Sequence, residues 1–218
     1  MTRILLIPAL FFSFVSNAQF KKNDILLGGQ LSYSYNSSNQ KYVTGPTYDN
    51  KATTGNFTIN FGKALNENTV AGITLSYMPY SMNNYNVDGI IPTKFQDDGY
   101  AVGIFYRKYK NLGKEFYLFG QVSALYNWSN QSAKDSTGKE IQTGSSWLVG
   151  IDFAPGIAYK VSRHFFLELS FPDLINVEYS KSNAKTPQTN LAYDRLNLST
   201  SLSSGFLSSL GVGFKLVL

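Results

Sequence analysis

Leu210-Gly-Val-Gly-Phe-Lys-Leu-Val-Leu218 decides the fold. With a period of two, Leu210, Val212, Phe214, Leu216 and Leu218 share one face, while Gly211, Gly213, Lys215 and Val217 share the other. This is strand alternation, and the sequence ends on it. An edge this apolar recruits other chains unless it is paired, and the natural partner is the first strand of the chain. Pairing last with first closes the sheet into a barrel. The outward face of that last strand is apolar throughout, which suits hydrocarbon better than water.

Working outward, the sequence has 218 residues, a formal net charge of +5, no cysteine and one histidine. Aromatic residues make up 15%, yet the mean hydropathy is only -0.15. Alternating strands give this combination, because a polar neighbour dilutes each apolar residue. No basic run exceeds Lys21-Lys22, so a nucleic-acid partner is not indicated. Residues 1–18 read as a signal peptide: Arg3, an apolar stretch from Ile4 to Val15, then Ser16-Asn17-Ala18 as a small-x-small cleavage site. An apolar run of about 12 residues is too short to span a bilayer as a helix, which needs roughly 20. The expected division is therefore an export signal over 1–18 and a barrel over 19–218, with cleavage after Ala18. Without cysteine, stability must come from the sheet.

Eight strands are predicted. The first covers residues 24–35, the second 53–63, and the third carries Ala71, Ile73, Leu75 and Tyr77 on one face. The fourth covers 99–110, the fifth ends near Trp128, and the sixth alternates from Trp147 through Val149, Ile151 and Phe153 to Tyr159. The seventh sets Phe165, Leu167, Leu169 and Phe171 outward and continues past Pro172 toward Tyr179. A polar stretch to about Ser204 precedes the eighth. Long polar connections over 36–52, 78–98 and 129–144, together with the stretch before the last strand, alternate with short turns at 64–68, 111–114 and 161–163. Long loops on one side and short turns on the other, with an even strand count, predict an all-β, eight-stranded antiparallel up-and-down transmembrane β-barrel. Soluble barrels and sandwiches also use short strands, but they bury the apolar face. Here the smaller face is Gly, Ser and Thr, which cannot form a dry core.

The aromatic positions agree. Tyr33, Tyr77, Tyr100, Trp128 and Trp147 fall at strand ends beside long loops, and Phe61, Tyr106, Phe116, Tyr159 and Phe165 beside short turns. Two girdles at the membrane–water boundaries are expected.

The chain resembles the small outer-membrane β-barrel proteins of Gram-negative bacteria, in the variety common among the Bacteroidota: OmpA- or OmpX-like barrels without a periplasmic domain. The resemblance rests on Ala18-Gln19-Phe20, the four long connections and the terminal Gly-Val-Gly-Phe-Lys-Leu-Val-Leu. It implies a place in the outer membrane, among its lipids, and insertion by the barrel-insertion machinery. That machinery reads a terminal aromatic in the family, whereas this chain ends in Leu218, with Phe214 the nearest aromatic. The fold carries adhesins, pores, enzymes and structural proteins alike, so it does not name a function.

An eight-stranded barrel has an interior just filled by side chains. Arg107, Asp152, Glu168 and Lys215 have inward parity, and charges in so narrow a lumen are expected to pair. His164 is the one candidate catalytic histidine, but it adjoins a short turn, away from the outer leaflet where lipid-modifying barrels work. Neither catalysis nor a cofactor is indicated. No second histidine or cysteine completes a zinc or copper set, and Asp88, Asp97 and Asp98 lack calcium-loop spacing. Lys63, Lys110, Lys114, Lys160 and Arg163 gather at the short turns, where they suit phospholipid headgroups or water. The leading expectation is a structural or surface-interaction protein that binds an external partner through its long loops. A narrow channel for ions or small solutes is second, and a lipid-modifying enzyme third.

Overall fold

The computed structural model describes residues 20–41, 47–83, 94–171, 174–186, 189–200 and 210–218. The expected signal peptide lies outside the described residues. Among the described residues, ten antiparallel strands follow one another: β1 (Ile25–Lys41), β2 (Thr47–Asn66), β3 (Thr69–Asn83), β4 (Lys94–Gly113), β5 (Phe116–Lys134), β6 (Glu140–Lys160), β7 (Phe165–Ser170), β8 (Ile175–Lys185), β9 (Asn190–Ser199) and β10 (Gly211–Val217). From β1 to β6 each strand pairs with the next. The far edge of β6 pairs with both β7 and β8, β9 pairs with β8, and β10 lies between β7 and β1. The ladder therefore runs in a ring, closed where Leu27 faces Leu216 and Leu31 faces Val212.

Side-chain parity shows why these sequences form such a ring. Along β4, Tyr100, Val102, Ile104 and Tyr106 are exposed, while Ala101, Phe105, Arg107 and Tyr109, of the opposite parity, are buried. The same inversion appears in β6, where Ile151 is 57% exposed and Asp152 only 9%. Bulky apolar residues outside and small or polar ones inside are what a lipid-facing barrel requires. Where a ring must fit inside, a neighbouring strand supplies glycine. A Cβ on Gly72 would lie 2.1 Å from the Phe61 carbonyl oxygen and 2.9 Å from the Phe105 ring, and one on Gly156 would lie 2.3 Å from Phe119.

The structure corrects the predicted strand boundaries. The β1–β2 ladder continues to Lys41↔Thr47, the β3–β4 ladder to Asn83↔Lys94 and the β5–β6 ladder to Lys134↔Glu140. Much of each predicted long loop is thus hairpin. A ladder is made by the backbone, so it persists through Ser, Asn and Thr where hydrophobic alternation has faded. The predicted seventh strand is divided into β7 and β8 around Pro172, a residue with no N–H to give a ladder. The polar stretch expected before the last strand contains β9, with Leu196 and Leu198 facing outward beside Tyr179 and Val177. The short turns hold. The second tightens around Gly113 (φ 87°), Lys114 (φ 48°) and Glu115 (φ 67°).

Inside the turn end sits a buried cluster that includes Phe20, Leu26, Val70, Tyr109, Phe119 and Phe166. The Phe20 ring meets Tyr109 edge-on at 5.2 Å, and its backbone N–H donates to the Glu67 carbonyl at 3.2 Å. This end of the barrel is filled.

Candidate functional site

Inward parity brings Arg107 of β4, Glu168 of β7 and Lys215 of β10 to one level directly above the aromatic cluster. Arg107 Nη1 donates to both Glu168 oxygens, at 2.7 Å and 2.9 Å, and Lys215 Nζ pairs with Glu168 Oε1 at 2.8 Å. One carboxylate therefore serves two cations, all three side chains being buried. Tyr109 Oη joins them: it donates to Glu168 Oε1 at 3.3 Å, accepts from Arg107 Nη1 at 3.1 Å and accepts from Lys215 Nζ. Arg107 Nε donates to Gln121 Oε1 at 2.8 Å, and its guanidinium carbon lies 4.4 Å from the centre of the Phe119 ring. Buried charges persist when they are paired and hydrogen-bonded in this way.

Asp152 lies higher, toward the hairpin ends, opposite Ser123 and Asn176 in the ladder. There it helps line a cavity of about 270 Å³ whose floor includes Arg107 and Phe119. The other walls are mostly amides and hydroxyls, among them Gln30, Asn56, Asn60, Thr74 and Asn127. Thr58 and Ser76 hydroxyls lie 2.8 Å apart, Thr74 bonds Asn60, and Gln121 donates to Ser123 at 2.9 Å. A second carboxylate, Glu178, accepts from Asn176 and Asn197, each at 3.2 Å. The lumen is a polar well above a charged floor, with an aromatic plug beneath.

The plug is what sequence reasoning missed. Tyr109, Phe119 and Phe166 each stand two residues from an inward polar group, Arg107, Gln121 and Glu168 respectively. Extending the parity of those strands to the turn end would have placed these rings inside. Glu178 follows from the same rule in β8.

The upper aromatic residues form a continuous row. Tyr77, Tyr100, Trp128 and Trp147 are successive cross-strand partners. Ring centres lie 5.2 Å apart for Tyr77 and Tyr100 and 5.8 Å for Tyr100 and Trp128. Tyr33 faces Gly55, one step beyond this row's Phe57. The lower set is less regular. Phe116 packs on Tyr159 at 4.8 Å and Phe165 on Phe214 at 6.5 Å, and Tyr106 faces Ala71. Phe61 stands level with Ile73 and Ile104, a step nearer the middle of the band.

The remaining candidates have ordinary surroundings. His164 is in the exposed bend before β7, and its carbonyl accepts from the Val217 N–H at 2.9 Å. Asp98 accepts from Tyr77 at 2.8 Å and Asp97 from Gln131 at 3.0 Å, while Asp88 lies outside the described residues. Among the described residues, no group of three His, Cys, Asp or Glu could hold a metal ion.

No family model matches the sequence, and no curated protein matches it. Solved structures do match. The outer membrane protein OprG from Pseudomonas aeruginosa aligns over 93% of this chain and 99% of its own at 13% identity and a TM-score of 0.54. A major outer membrane protein from Thermus thermophilus aligns over 89% of this chain and 99% of its own at 12% identity and a TM-score of 0.50. At such identities the likeness is one of fold. That fold is the small outer-membrane β-barrel, here with no catalytic constellation among the described residues.

Proposed function

We propose that the chain is an integral outer-membrane barrel of eight staves and a narrow, cation-preferring channel for ions or small solutes, normally held shut at its floor. Six staves are β1 to β6. The seventh joins β7 to β8, and the eighth joins β9 to β10. Both termini and the short turns face the periplasm, and the long hairpins face outward. The observation that carries the reading is the polar well, which ends on Arg107, Glu168 and Lys215. A barrel with a purely mechanical role needs no polar lumen, and Asp152 and Glu178 on its wall favour cations. Passage requires the floor and the plug below it to rearrange.

The test is single-channel recording of the refolded protein in planar bilayers. Rare, small, cation-selective steps are expected, with opening frequency raised by Glu168→Gln. Silence of both proteins would reject conduction. The hairpin ladders extending above the aromatic row favour a second reading, attachment to an external partner, which would then lead. Orientation has its own check: trypsin added to intact cells should cut at Lys139 and spare Lys114. The reverse pattern would invert the topology.

A further inference from the structure

We propose that the outer face of the turn end holds an anionic phospholipid headgroup, in a notch over the first residues of β3. Lys63 of β2 lies on one side of the notch, and Lys108 and Lys110 of β4 on the other. The inference rests on the membrane-barrel fold and not on conduction.

Register defines the notch. Lys63 faces Ala71, Ala71 faces Tyr106, and Thr69 faces Lys108. Thr69 and Ala71, both small, lie between the flanking strands at this level, with Lys110 further along beside the Glu67–Asn68 turn, and the strands bearing the cations lie two ladder spacings apart, roughly 10 Å. Lysine stems can converge across that width while their ammonium groups stay at the boundary. Directly above, Phe61, Ile73, Ile104 and Tyr106 are exposed on the apolar band, where the acyl chains of the same lipid would lie.

Two further observations favour an anionic lipid over plain solvation. Leu65 and Leu112 lie beyond the lysines, near the turns, and are 48% and 54% exposed. Cations with apolar residues on both sides belong to the interfacial layer, not to bulk water. Charge is also uneven between the two ends. Among the described residues, the turn end carries eight Lys or Arg, which are these three with Lys21, Lys22, Lys114, Lys160 and Arg163, against Asp24, Glu67 and Glu115. The hairpin end is nearly balanced, with eight Lys or Arg against six Asp or Glu. An anionic surface attracts each nearby lysine by roughly a fivefold preference.

The experiment places the refolded protein in phosphatidylcholine vesicles with a trace of spin-labelled phosphatidylglycerol or spin-labelled phosphatidylcholine. The protein-associated, motionally restricted fraction is read for each lipid. We expect phosphatidylglycerol to associate at least about fivefold more strongly at low salt. The triple variant Lys63→Gln, Lys108→Gln, Lys110→Gln should lose most of that preference. Lys181→Gln with Lys185→Gln, at the hairpin end, should keep it. Millimolar inorganic phosphate should leave it intact. Displacement by phosphate would mark a free-anion site and overturn the proposal, as would equal association of the two lipids or an unchanged triple variant. If the triple variant fails to give the folded gel mobility, Lys63→Gln alone must show a reduced preference.

Discussion

Glu168→Ala should be among the most damaging single substitutions in this barrel. Glu168 is the shared counter-charge of Arg107 and Lys215, at contact distances of 2.7 Å and 2.8 Å, with Arg107 6% and Lys215 3% exposed. Removing one partner of a buried pair costs about 3–5 kcal/mol, because the other charge is left uncompensated. Arg107 would keep Gln121, Tyr109 and the Phe119 ring, whereas Lys215 would keep Tyr109. Most of the loss should therefore come from Lys215. The double variant Glu168→Ala, Lys215→Met should recover about 2 kcal/mol of it, within the range of coupling found between contacting residues. The assay is urea unfolding in lipid vesicles followed by Trp fluorescence, with heat-modifiable gel mobility as the fold check. Because the group is buried, added salt should change the result little. A Glu168→Ala barrel within about 0.5 kcal/mol of the parent, or a strictly additive double variant, would refute the shared-carboxylate argument.

Three other outcomes follow from the geometry. Ile151→Arg puts a cation on the lipid face near mid-band and should destabilise the barrel by about 2–4 kcal/mol in the same assay, while Asp152→Asn leaves insertion intact. Gly72→Val forces a side chain into the Phe61 backbone and the Phe105 ring, and should cost about 1–3 kcal/mol or more by overpacking, seen as a lowered urea midpoint. In the β5–β6 hairpin, Asp135 accepts from the Thr137 hydroxyl at 2.6 Å and from the Thr137 and Lys139 N–H groups at 2.9 Å each. The Thr137 hydroxyl bond, assisted by those N–H groups, holds its carboxyl below the ordinary value of 3.8. A folded-state pKa that is lowered means the turn's stabilisation is full above the unfolded value and is lost as pH falls through the folded one. Protection of the Thr137 and Lys139 amides, taken as exchange relative to the intrinsic rate at each pH, should hold above about pH 4 and fall below it, and Asp135→Asn should remove that step.

How much of this was legible in the sequence depended on side-chain contrast. Through the middle of β4 and β6 bulky apolar residues mostly alternate with small or polar ones, so the outward face, and the inward parity shared by Arg107, Asp152, Glu168 and Lys215, could be read from the sequence. Above the aromatic row, residues such as Ser129, Asn130, Gln131 and Ser132 are polar on both faces, and the ladder that joins them to β6 leaves no periodic trace. β9 was hidden for a related reason. Only Leu196 and Leu198 mark its lipid side, and two residues do not establish a period. The plug failed differently: the parity was visible, but an interior of small polar residues was assumed along the whole strand. The turn half holds Phe105, Tyr109, Phe119 and Phe166 instead, made possible by glycines on the neighbouring strands.

Closure between β1 and β10 sets an order of events for biogenesis. The pairs Leu26↔Val217 to Leu31↔Val212 join residues separated by most of the chain, and contacts this distant in sequence are the slowest to form. Successive hairpins from β1 to β6 can zip as they emerge, but neither β1 nor β7 gains its second neighbour until β10 arrives. During that interval the chain presents two open, apolar-faced edges to an aqueous compartment, the condition under which strands add to one another without limit. A protein built this way is most prone to aggregate while unfinished. A slowed final step, such as a substitution at Phe214 or Leu216 that weakens the seam, should surface as aggregated precursor well before it shows as a less stable finished barrel.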